Sequence, residues 1–103
     1  MSENQKLPQR VIDRMKKLGL PSGGSYPFRP KIRTNRRNEP DLVTATPKKG
    51  LKKHEKGFVD EDDNIWIRDP AHAGYPDHWD VQMNGGEDYE RVGDDGEMVR
   101  KLD

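Results

Sequence analysis

The chain has 103 residues, of which 29% are apolar and 37% charged, and it holds no cysteine. A chain this short and polar builds one small core and is marginal without a partner, ligand or metal. Disulfides and thiolate metal sites are excluded, and no apolar run is long enough for a membrane-spanning helix or the core of a signal peptide. Net charge is zero, yet residues 1–57 hold 15 Lys/Arg against 5 Asp/Glu, while residues 58–103 hold 4 against 14. Such a division suggests a polyanion-binding arm joined to an acidic folded part. The plainer reading is two halves that neutralise each other within one molecule.

In chain order, Leu7 to Leu20 is the one helix candidate. Leu7, Val11, Ile12, Met15 and Leu18 recur at helical spacing, Pro8 suits the first turn, and Gly19 with Pro21 beyond it suits a stop. An amphipathic helix this short needs a surface to dock on. A sheet supplies one reading of that surface, and a membrane or partner the other. Pro21 to Lys56 carries five prolines and little periodicity. Ser22-Gly23-Gly24-Ser25 reads as a flexible joint, and Tyr26-Pro27-Phe28-Arg29-Pro30 as extended chain. Two basic clusters follow, with Arg33, Arg36 and Arg37 in the first and Lys48, Lys49, Lys52 and Lys53 in the second. A mobile basic segment suits a phosphate backbone, which it grips without reading sequence; a solvated linker has the same composition.

Regular structure is predicted to resume at Gly57, dividing the chain into a basic helix-plus-arm, 1–56, and an antiparallel β domain, 57–103. Phe58-Val59-Asp60 and Ile65-Trp66-Ile67-Arg68 read as a hairpin around an acidic turn. That turn lacks the spaced ligands, the glycine and the distal Glu of a calcium loop. A loop at Asp69–Pro76 leads to His78-Trp79-Asp80-Val81-Gln82, whose alternation puts His78, Asp80 and Gln82 on one face, with Trp79 and Val81 on the other. Asn84-Gly85-Gly86 supplies a turn, Glu87 to Val92 a returning strand, and Glu97 to Lys101 a last one. The predicted fold is α+β: a small twisted antiparallel sheet of four to five strands, one N-terminal helix and a long basic irregular segment.

Three chemistries fit the central stretch to different degrees. A metal site would draw on His72, His78 and Asp80, but their spacing has no fixed helical pair. Nucleophilic catalysis by Ser or Cys lacks support, because Ser2, Ser22 and Ser25 all fall in the N-terminal tail or joint. Metal-independent RNA cleavage needs a base for the ribose 2′-hydroxyl, an acid for the leaving 5′-oxygen and a cation for the phosphoryl charge. Carboxylates, histidine and arginine all occur between His78 and Arg91.

The run Trp79-Asp80-Val81-Gln82, then Glu87 and a Tyr-Glu-Arg continuation into an Asp-Gly turn, resembles the catalytic domain of the colicin ribosome-inactivating ribonucleases. In that family a Trp-Asp-x-Gln strand carries an Asp, a His three residues on and a Glu seven residues after the Asp. Asp80 and Glu87 keep the seven-residue spacing, whereas Met83 stands at the histidine position. Gly57-Phe58-Val59-Asp60, Asn64-Ile65-Trp66 and the His-Trp-Asp-Val-Gln run are also similar to ribonuclease domains of bacterial polymorphic toxins. The resemblance covers about residues 57–101. It implies a small antiparallel sheet, ribosomal or other RNA as substrate, no metal or other cofactor, and a cognate immunity protein as partner. It assigns Asp80 as orienting carboxylate or proton carrier and Glu87 as general base. His78 is the first substitute for the missing acid and His72 the second; Arg91, ahead of Arg100, is the phosphate-stabilising cation.

The expected activity is therefore that of an endoribonuclease toxin inhibiting translation, acting in the cytoplasm, with no membrane anchor and no cleavable signal for export. The alternative is a non-enzymatic RNA- or ribosome-binding accessory protein.

Overall fold

A computed structural model describes residues 7–50, 53–70, 74–84 and 88–99. It has one helix, α1 (Gln9–Leu18), and seven strands: β1 (Ile32–Thr34), β2 (Pro40–Leu42), β3 (Thr44–Ala45), β4 (Gly57–Val59), β5 (Ile65–Asp69), β6 (His78–Gln82) and β7 (Tyr89–Gly93). β1 and β2 form a two-stranded antiparallel hairpin, and β3 to β7 a five-stranded antiparallel sheet in sequence order. The fold is α+β, as the hydrophobic pattern predicts.

α1 starts and stops where its end residues dictate. The Pro8 carbonyl accepts from the amides of Val11 and Ile12, and Gly19 turns left-handed at φ 79°. The Leu20 amide then bonds back to the Met15 carbonyl, closing the last turn. Lys16 and Lys17 sit in that turn, where the helix dipole favours cations. Val11 and Met15 point inward, and Trp79 donates its indole N–H to the Gly19 carbonyl at 3.0 Å, tying β6 to the helix end.

The β4–β5 hairpin is built on Asp60. Its buried carboxylate accepts from the amides of Asp62 and Asn64, the Asn64 side chain and the Trp66 indole N–H. Asp63 takes φ 66°, a conformation Asp tolerates in turns. The acidic turn is thus a side-chain-stapled loop.

One core cluster joins Val11, Met15, Leu20, Phe28 and Leu42 to Trp66, Trp79, Val81 and Val92, so it draws on both sides of the division at residue 57. The segment predicted as irregular contributes β1, β2 and β3. Phe28 is buried edge-on against Trp66 with centroids 5.2 Å apart, and Pro30 bridges Asp60. The expected joint is docked as well. Tyr26 donates its amide to the Gly96 carbonyl and Ser25 to the Glu97 carboxylate, and a Cβ on Gly96 would fall 1.8 Å from the Gly23 carbonyl oxygen. These glycines permit a close backbone approach.

At the C-terminal end Val92 bridges Met98, and the Val99 amide bonds to the Arg91 carbonyl. The remainder of the predicted last strand, with Arg100, lies outside the described residues, as do Glu87, His72 and Lys52.

Candidate active site and nucleic-acid interface

Directly opposed residues in an antiparallel pair share a face. The register therefore sets Asp69 beside His78, Ile67 beside Asp80 and Ile65 beside Gln82 on one side of β6; Arg91 faces Asp80 and Tyr89 faces Gln82 on the other. The opposite face carries Trp66, Trp79, Val81 and Val92 into the core. The predicted alternation of β6 is correct, but its polar face is not open to solvent. His78, Asp80 and Gln82 are all buried, His78 with 0% exposure. β6 is the fourth strand of five, flanked by β5 and β7, and the Tyr75 ring sits 5.9 Å from the imidazole.

Both ring nitrogens of His78 lie close to oxygen atoms. Its Nδ1 lies 2.7 Å from the Pro76 carbonyl oxygen, which only accepts, so Nδ1 carries a hydrogen. Its Nε2 lies 3.2 Å from Asp69 Oδ2 and 3.2 Å from Asp80 Oδ1. With a second hydrogen on Nε2 the ring is an imidazolium shared by two carboxylates. With a lone pair there, the same three atoms, all within 4.8 Å of one another, offer a three-ligand cation site, and the Pro76 carbonyl orients the histidine as metal-bound histidines are oriented. In either state the imidazole is buried beside the Asp80 carboxylate and is not presented above the sheet.

Arg91 has a different environment. Its guanidinium lies 4.2 Å from the Tyr75 ring centroid and 5.3 Å from that of Tyr89, and Nη2 donates to the Tyr89 hydroxyl at 3.2 Å. Its buried Nε has no hydrogen-bond partner, and among the described residues no carboxylate pairs with it. Half-buried and stacked between two rings, it is a pre-oriented cation with unused donors.

Of the predicted RNA-binding cations, six are described and all lie on the surface. Arg33, Arg36, Arg37, Lys48, Lys49 and Lys53 are exposed, and none forms an ion pair among the described residues. Arg36 and Arg37 occupy the β1–β2 turn, which Asn35 shapes by accepting from the amides of Arg37 and Glu39. Other cations are committed to structure: Arg10 and Arg14 pair with Asp41, Lys31 with Asp63, and Arg68 with Asp94. Asp41 lies below its ordinary carboxylate value; burial raises it, but the Leu42 amide, Asn35, Arg14 and Arg10 together outweigh that. Arg68 is raised by its hydrogen bonds to Asp94.

Three participants are not evident from residue types alone. Asp69 emerges only from the strand register, and Tyr75 and Tyr89 only from their packing around Arg91. Comparison with known proteins yields no matching family model, no matching curated protein and no matching solved structure. None of the described helices is long and apolar enough to cross a membrane.

Proposed function

We propose that this protein is a small endoribonuclease of the toxin type, which cuts ribosomal or other cellular RNA and thereby stops translation. The observation that carries the reading is Arg91, set opposite Asp80 and stacked between two tyrosines with no acid among the described residues to neutralise it. Six exposed cations on the basic half, with no ion pair among the described residues, support it.

In this mechanism the Glu87 carboxylate takes the proton from a ribose 2′-hydroxyl. The 2′-oxygen bonds to the adjacent phosphorus, and the phosphorus–5′-oxygen bond breaks. Arg91 stabilises the charge gathering on the phosphoryl oxygens. Asp80, beside the buried His78, orients the strand. With His78 buried, His72 is the side chain assigned to protonate the leaving 5′-oxygen. A cognate immunity protein would protect the producing cell.

Purified protein incubated with ribosomes, total RNA and transfer RNA tests this directly. The expected products carry 2′,3′-cyclic phosphate and 5′-hydroxyl ends; intact RNA in all three would defeat the proposal.

The burial of His78 and Asp80 favours one second reading, an RNA-binding accessory protein that does not cut. In that case Asp80→Asn and Glu87→Ala would leave the effect on cells unchanged.

A further inference from the structure

A cavity of about 450 Å³ opens on the same sheet face as Asp80 and Arg91, one step along β6. Its lining includes Gln82 and Ile65, paired across β6 and β5, and Met83 and Asn84. Lys48 and Lys49, following the buried Pro47, also line it. Asp63 also borders the cavity, but it is paired with Lys31.

The lining has the chemistry of a nucleotide site. Two exposed ammonium groups, neither ion-paired among the described residues, suit a phosphate. Ile65 and Met83 give apolar contact for a flat ring, since thioether and aliphatic groups pack well on aromatic faces. Asn84 presents an amide with both donors and an acceptor, the combination that reads a base edge. Its backbone N–H bonds to the Asn64 side chain at 2.9 Å, which ties residue 84 to the β4–β5 turn. The volume lies within the range of small-ligand pockets.

The position adds to the chemistry. Gln82 is two residues from Asp80 on one strand, a separation of about 7 Å along the same face. A single-stranded RNA crossing the surface above the covered β6 would place a phosphate near Arg91 and a neighbouring base in the cavity. We infer that the Lys48–Lys49 cavity is a nucleotide subsite, binding one RNA nucleotide next to the scissile phosphate and selecting its base. This inference rests on the ribonuclease reading for the word scissile, but binding itself is independent of cleavage.

Titration of the full ¹⁵N-labelled chain with each of the four 5′-nucleoside monophosphates, and with inorganic phosphate, tests it. The expected result is amide shifts at Lys48, Lys49, Met83 and Asn84, with one base bound several-fold more tightly than the others. Lys48→Glu with Lys49→Glu should weaken binding at least tenfold, whereas Lys17→Glu with Lys56→Glu, exposed and outside the proposed site, should not. Both pairs lie on the surface, so the variants retain the fold. Shifts confined to other residues, or equal binding of phosphate and all four nucleotides, would overturn the inference. A chain that binds in this way but does not cut defeats the ribonuclease reading alone; one that cuts without such binding defeats the subsite alone.

Discussion

The guanidinium of Arg91 stacks on the Tyr75 ring at 4.2 Å although Asp80 stands directly opposite in the β6–β7 register. Asp80 is turned toward His78, 3.2 Å from Nε2, so the carboxylate and the guanidinium on neighbouring strands serve different partners. One is locked into the interior; the other keeps donors for an anion.

Replacing Arg91 with Ala should lower RNA cleavage on the order of 100-fold, the usual cost of losing one donor to a developing anion. Tyr75→Ala should cost about tenfold by releasing the stacked guanidinium, and Tyr75→Phe should restore most of the rate because the ring alone provides the stack. Cleavage kinetics beside thermal melting separate these effects from unfolding.

His78→Ala should act on stability. It leaves Asp69 and Asp80 facing each other in the interior without their shared partner, a change worth about 3–5 kcal/mol. Adding Asp69→Asn should recover part of that loss by removing one of the two like charges. Denaturant unfolding of the single and double variants checks the sign of the coupling.

The two states available to Asp69, His78 and Asp80 make opposite predictions for metal removal. An imidazolium shared by the carboxylates predicts that dialysis against a strong chelator changes neither melting temperature nor cleavage rate. A loss of either, restored by added zinc or manganese, would assign the three atoms to a cation.

Asp41 contributes a pH dependence to the docking of β2 on α1. Its folded-state value is depressed below the ordinary 3.8, so its stabilisation is fully present above that value and is lost as pH falls through the lower folded one. Asp41→Asn should remove stability at neutral pH and flatten the acid limb of the stability profile. The effect should be modest, since both arginine partners are about two-fifths exposed.

Much of the fold is legible from local pattern. Gly19 after an apolar 3–4 repeat marks the helix end, and the acidic run before Ile65 marks a turn because Asp60 caps it. Strand alternation likewise gives the faces of β6. The structure of residues 21–50 is not legible this way, because its supports are tertiary: Phe28 on Trp66, Pro30 against Asp60, and the glycine contact of Gly24 with Gly96. Periodicity also does not tell whether a polar face is covered, which is why His78 reads from sequence as a reactive group and stands in the fold as a buried one. Arg91 reads correctly as a neighbour of Asp80, whereas its two tyrosines need the third dimension.

The most direct measurement is RNA integrity in cells after brief induction, comparing the wild-type chain with Glu87→Gln at equal levels of folded protein. The account predicts a discrete new RNA fragment with wild type that is absent with the variant. Growth arrest with all RNA intact in both would contradict it.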